Sequence, residues 1–535
     1  MEKLIRDIIE ESACRFAELT AVKWLKKKEI FEINYASLNE NITAIRKALL
    51  KEGFLKKHIA LIGTSSVEWI ESYLGIITGG CVAVPLDAGL PDKDLTDLIN
   101  RSDSEALFLS PKNLSLLSSI LADCPKLKNI WILNSDNNDT EKNSILNKIS
   151  AFANNSINNS NTVSFVSDLK NVVRTSDNDA DRPAPDDTAT IIFTSGTTGK
   201  SKGVMLTHNN LASNVQSVNY YTESGTVMLS VLPVHHVYCL VMDWLKGFSL
   251  GATICINDSL MHMMRNIGVF KPEVILMVPM MVETIYKRLA AADPSIPPNI
   301  LANKIFGGNL HIIFMGGAHI DPFYIDKFAE YGIDIYEGYG MSECSPVISS
   351  NLPGCHKTGS IGRPLSNAEI SFDNGEILVR GTSVMKGYYN MPKETAETLR
   401  DGWLHTGDKG YIDEDGFLFI NGRVKNLIIL SNGENISPEE IENKLALDDL
   451  VGEVIVTGEK NGLTARIYPE QELVIAANMT EDEVRKNLQA FIDKYNSEQP
   501  TYRRITGLVI RKNPFIRSST KKIKRQEALI DEPMI

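Results

Sequence analysis

Between residues 35 and 381 the chain alternates two textures. In one, apolar residues recur every three or four positions; in the other, short runs are apolar throughout. Leu38, Ile42, Ile45 and Leu49 share one helical face, with Ser37 and Glu40 reading as a capping box ahead of them and Gly53 as the stop. Residues 58–63 then read as a strand, 67–77 as a helix and 81–85 as the next strand. Similar units recur at 226–231, 252–256, 273–290 and 310–314. Helix and strand in alternation predict an α/β fold with layered, largely parallel sheets. Residues 134–168 are rich in Asn and Ser and read as a surface excursion with a weak helix near 145–152.

From 359 to 422 the texture changes to short alternating strands and tight turns such as Asp413-Glu414-Asp415-Gly416, which predicts a β-rich subdomain. After Arg423 a compact α+β pattern follows, with a strand at 427–430, a helix at 438–446, strands near 453–457 and 463–468, a helix at 481–496 and a strand near 507–511. The expected division is a large domain over 1–424 and a small one over 425–535. At the N-terminus Leu4, Ile5, Ile8, Ile9 and Phe16 give an amphipathic surface helix, with no secretory pattern.

Composition narrows the function. The chain is 43% hydrophobic and 23% charged, ordinary for a globular protein. A net charge of −12 argues against nucleic-acid binding. Seven cysteines with no CxxC pair suggest neither a disulfide framework nor a zinc site. No apolar run is long enough to span a bilayer, so a cytoplasmic location is the expectation, with peripheral membrane contact left open.

The most informative segment is Thr194-Ser195-Gly196-Thr197-Thr198-Gly199-Lys200-Ser201-Lys202-Gly203, after an apolar strand at 190–193. Its glycines let the backbone turn and bring N–H groups close to an anion, and its hydroxyls and two lysines suit a polyphosphate. Only Thr197 and Thr198 separate Gly196 from Gly199, which is not the Walker spacing. The segment resembles the phosphate-binding loop of the adenylate-forming (AMP-binding) enzymes, which include acyl-CoA synthetases.

Downstream motifs extend that resemblance over nearly the whole chain. Phe314-Met315-Gly316-Gly317-Ala318 leaves a backbone edge open to a flat ring, and in the family it lies beside the adenine and the carboxylate substrate. In Tyr336-Glu337-Gly338-Tyr339-Gly340-Met341-Ser342-Glu343 an aromatic between glycines can stack on a base. By resemblance Tyr339 stacks on adenine, Ser342 (usually Thr) touches the α-phosphate and Glu343 holds Mg²⁺. Asp408, in Trp403-Leu404-His405-Thr406-Gly407-Asp408, offers two acceptor oxygens to a ribose, and Arg423 adds a forked donor.

Lys425 matches the family's hinge. Gly433 matches the place where the pantetheine arm of CoA is accommodated. Lys522, in Thr520-Lys521-Lys522-Ile523-Lys524-Arg525, matches the catalytic lysine, with Lys521 where Gly is usual. His236, in Leu232-Pro233-Val234-His235-His236, matches the residue that gates the acyl pocket.

The resemblance is strongest to medium- and long-chain fatty-acyl-CoA synthetases. It implies ATP, Mg²⁺ and CoA as cofactors and a small carboxylic acid as substrate. Two other readings stay open: an enzyme that loads the phosphopantetheine thiol of a carrier protein, and a non-catalytic nucleotide-binding homologue.

Overall fold

A computed structural model describes residues 3–134, 139–153, 162–170, 182–194, 200–220, 222–293, 295–429, 435–459, 462–517, 523 and 525. The chain divides into two compact units, one of Met1–Ile370 with Val379–Leu404, the other of Ser371–Leu378 with His405–Ile535.

The apolar runs of the first unit become the inner strands of two sheets. In a nine-stranded sheet, Thr253–Ile256, Val227–Ser230, Val274–Met277, Ile312–Met315 and Asp334–Gly340 lie side by side and parallel. Their inner residues are fully buried, as strands covered on both faces require. An eight-stranded sheet has His58–Ile62 and Val82–Leu86 at its centre, again parallel. Burial of each such Ile, Leu or Val contributes about 1.5–3 kcal/mol.

Two helices, Tyr35–Lys51 and Val67–Thr78, pack together across Gly75, where a Cβ would fall 2.6 Å from Ile45 Cγ2. The first of these begins earlier than the capping-box reading placed it. Asn34 is the cap and accepts from the Ser37 amide, so Ser37 lies inside the first turn. Both residues are good caps three positions apart, and the one whose backbone is extended serves.

The Asn- and Ser-rich stretch is not merely an excursion. Thr162–Phe165 adds a parallel edge strand beside Asn129–Ile132, and the helix there is longer than expected, Asp139–Ala153, with Ile145 and Ile149 buried. The N-terminal helix, Ile5–Arg15, likewise buries Ile5, Ile8 and Ile9 rather than only resting on the surface.

The β-rich region is a five-stranded sheet that includes Glu376–Gly381, Trp403–Ile412 and Leu418–Arg423. In the second unit Val451–Glu459, Gly462–Pro469 and Ile505–Ile510 form a three-stranded sheet. Helices Pro438–Leu445 and Glu481–Ser497 share its apolar core, through Ile441, Leu445, Leu488 and Ile492. Ser437 sits at the cap of the first of these helices, but its hydroxyl donates to Glu439 instead of capping the backbone.

Candidate functional site

Strands Thr188–Thr194 and Lys202–Thr207 form an antiparallel hairpin with Thr194 opposite Lys202. The tip from Ser195 through Gly196, Thr197, Thr198 and Gly199 lies outside the described residues, as do Gly433 and Lys522. At the base of the hairpin Lys200 is exposed, and Thr194 and Lys202 are half-buried. The Lys202 ammonium lies 4.7 Å from the centre of the Tyr388 ring. That is cation–π range, and among the described residues Lys202 has no carboxylate partner.

The same tyrosine reaches Glu343. Its hydroxyl donates to Glu343 Oε1 at 2.8 Å, and the Met385 amide donates to the Glu343 carbonyl at 2.8 Å. Glu343 sits in a short 3₁₀ turn, Ser342–Cys344, and is buried. Neither of its oxygens meets a cation among the described residues. The structure therefore gathers Lys202, Ser342 and Glu343 into one corner of the first unit, through a residue the sequence reading did not single out.

The second cluster stands where Ile312–Met315 and Asp334–Gly340 run parallel, with Met315 opposite Glu337. Gly316 is buried and Gly317 and Ala318 are exposed, so the strand end is open there. A side chain at Gly316 would press on the Tyr238 ring, its Cβ 3.2 Å away. At Gly340 a Cβ would fall 2.0 Å from the Pro346 carbonyl oxygen, so only glycine fits. Gly338 and Tyr339 are half-buried and Met341 follows them at the strand end.

Glu337 and Tyr339 alternate by two along the strand and so share one face. Glu337 is 1% exposed, and burial pushes its carboxyl pKa up. His319 Nδ1 lies 2.8 Å from Oε1, while Oε2 has no hydrogen-bond partner among the described residues. That second oxygen is enclosed by the fold. His319 is the second residue that sequence reading missed; it comes directly after the Gly316-Gly317-Ala318 motif, and only the strand pairing brings it to Glu337.

His236 lies in a turn, its amide donating to the Pro233 carbonyl, with its ring 4.3 Å from that of His235. The next segment, Cys239–Leu245, is a π-helix, a form common at functional sites. It buries Asp243 completely. Ser230 Oγ donates to Asp243 Oδ2 at 3.0 Å, and burial pushes that carboxyl up to about 7.

In the second unit Asp408 and Arg423 face each other across adjacent strands, with Arg423 Nε 2.8 Å from Asp408 Oδ1. Asp408 is 4% exposed, whereas the Arg423 side chain is half exposed. Glu376 braces this strand by accepting from the Gly407 amide at 3.0 Å and lying 3.0 Å from His405 Nδ1. Lys425 is exposed in the turn after Arg423.

The profile of the AMP-binding enzyme family matches residues 9–389, and that of the AMP-binding enzyme C-terminal domain matches residues 425–531. A long-chain-fatty-acid–CoA ligase of Bacillus subtilis is 30% identical over 490 residues, covering 85% of this chain and 83% of its own. A long-chain-fatty-acid–CoA ligase of Mycobacterium bovis is 31% identical over 330 residues, 53% of this chain and 55% of that protein. The match to this mycobacterial relative thus spans about half its length. Among solved structures, an anthranilate CoA ligase in complex with anthranoyl-AMP shares the fold, with a TM-score of 0.79 at 20% identity over 98% of this chain and 96% of that one.

Proposed function

The chain belongs to the AMP-binding enzyme family, and on that footing we propose that it is an acyl-CoA synthetase of the AMP-forming kind, acting on a fatty acid. The observation that carries the reading is the corner of Lys202, Ser342 and Glu343, in which opposite charges stand close to one neutral side chain without neutralising each other. Such a corner suits a ligand that brings both signs of charge, as a metal-bound polyphosphate does. The choice of a fatty acid rests on the similarity to the Bacillus subtilis ligase.

In this reading the substrate carboxylate attacks the α-phosphorus of ATP in line and expels pyrophosphate. The 194–202 loop, with Ser195, Thr197 and Thr198, cradles the phosphates, and Lys202 adds charge. A magnesium ion that shares phosphate oxygens needs only one or two protein carboxylates, and the buried Glu343 fits that demand. Bound there, the ion would neutralise charge on the phosphate oxygens. Tyr339 stacks on the adenine beside Gly316, Gly317 and Ala318, with Glu337 and Gly338 preceding it in the same strand. Asp408 takes the ribose hydroxyls and Arg423 orients it.

Lys522 supplies positive charge to the adenylation step. The large and small domains, 1–424 and 425–535, turn about Lys425 between the half-reactions. CoA, its pantetheine arm passing Gly433, then attacks the acyl carbonyl and AMP leaves. His236 gates the acyl pocket.

Pyrophosphate release measured over a panel of acids, with and without CoA, tests this. Fatty-acid-dependent pyrophosphate, followed by AMP and acyl-CoA in equal amounts when CoA is present, is expected. Pyrophosphate without a CoA thioester would move the acceptor to a carrier-protein thiol. A folded protein that binds ATP and releases no pyrophosphate with any acid would end the enzymatic reading.

A further inference from the structure

Residues 385–389 touch both sides of the charged corner. The Lys386 amide donates to the Met205 carbonyl and the Tyr389 amide to the Gly203 carbonyl, so the segment runs along the phosphate hairpin, with Tyr388 opposite Val204. On the other side the Met385 amide holds the Glu343 carbonyl. Tyr388 lies between these contacts, its own amide donating to Thr395 Oγ1 at 2.9 Å. Its hydroxyl meets Glu343 at 2.8 Å and its ring meets the Lys202 ammonium at 4.7 Å.

A buried phenol needs an acceptor, and a backbone carbonyl would serve. Here the acceptor is a carboxylate with no cation beside it. A neutral donor fixes the direction of that carboxylate and leaves its charge intact, whereas a lysine or arginine in the same place would cancel it. The ring does the same for Lys202, because a π-face attracts an ammonium without neutralising it. Lys202 and Glu343 both contact one side chain, yet they do not pair with each other among the described residues.

We propose that Tyr388 is a positioning residue for metal-bound nucleotide. It aims Glu343 with its hydroxyl, seats Lys202 on its ring, and keeps the two from collapsing into an ion pair before ATP arrives. Tyr388 can play this part only if Glu343 is the magnesium ligand read above.

Calorimetric binding of α,β-methylene-ATP to the full-length protein, in EDTA and across a magnesium titration, tests it without turnover. Tyr388→Phe keeps the ring and the backbone contacts. It should raise the magnesium concentration for half-maximal tightening by about tenfold or more, as loss of a hydrogen bond to a charged group would. Its metal-free ATP affinity should stay that of wild type. Tyr388→Leu should weaken metal-free binding as well, because Lys202 then pairs with Glu343. Adding Glu343→Gln to that variant should restore metal-free binding by releasing the lysine.

An unchanged magnesium midpoint in Tyr388→Phe, or a metal-free loss in Tyr388→Leu that Glu343→Gln does not repair, would overturn the proposal. Glu343→Gln alone separates the two readings. If it leaves the magnesium dependence intact, the metal assignment fails; if it abolishes the dependence while Tyr388→Phe does not move it, only the positioning role fails.

Discussion

Glu343 and Asp408 are both buried carboxylates, 9% and 4% exposed, and both belong to the motifs proposed to hold ATP. Their surroundings are opposite. Asp408 meets a guanidinium at 2.8 Å, so its charge is already answered by Arg423. Glu343 meets only a phenol and has no cation among the described residues. A carboxylate paired with an arginine can still accept hydrogen bonds from hydroxyls, which suits a sugar. A carboxylate held by a neutral donor keeps its full charge for a cation, which suits a metal. In the proposed function one residue type would serve two parts of one substrate, each through its own partner.

Removal of Glu343 is the largest expected break. Glu343→Ala should lower acid-dependent pyrophosphate release by about 10²–10³-fold, the scale for losing one transition-state electrostatic contact. Its melting temperature should fall modestly, since among the described residues the side-chain partner lost is Tyr388, whose buried hydroxyl is left without that acceptor. Asp408→Ala should act more weakly and on binding. A hydrogen bond to a charged group is worth about 1.5–3 kcal/mol, so the ATP dissociation constant should rise about tenfold or more, measured by calorimetry on the folded variant. If the two substitutions raised the ATP constant equally and neither slowed pyrophosphate release at saturation, the contrast between them would be lost.

Asp243 sharpens the comparison as a buried carboxyl with no proposed ligand. In the fold its pKa is raised to about 7 by burial, while the unfolded chain should show about 3.9. Between those values the unfolded state releases a proton that the folded state keeps. This contribution to stability is therefore whole below about pH 4 and is lost as pH rises to about 7. Asp243→Asn cannot ionise, so its melting temperature should fall less than that of wild type from pH 5 to 7.5. Parallel melting curves over that range would show that Asp243 is paired in the fold after all.

What the sequence disclosed follows the same division between local and distant contacts. Asp408 and Arg423 lie in one hairpin, so each motif could be read in place and the strand register joins them. The parallel sheets were legible because their strands are apolar on both faces, as Val274–Met277 is. Tyr388 was hidden. It links a lysine at 202 to a carboxylate at 343, and no short-range pattern marks a tyrosine for that place.

His319 was hidden in the same way, since its partner Glu337 is brought near by the pairing of two strands. The edge strand Thr162–Phe165 escaped notice because it is four residues long and only Phe165 is buried, which leaves little alternation to read.

In the proposed reaction a carboxylate oxygen of the acid attacks the α-phosphorus at this site. An acid labelled with ¹⁸O in both carboxylate oxygens, incubated with the full-length protein, ATP, magnesium and CoA, tests it by mass spectrometry of the products. Attack at the α-phosphorus places one labelled oxygen in AMP and leaves the other in the thioester carbonyl, with unlabelled pyrophosphate. Label recovered in inorganic phosphate, with ADP in place of AMP, would mean an acyl phosphate route and would contradict the account.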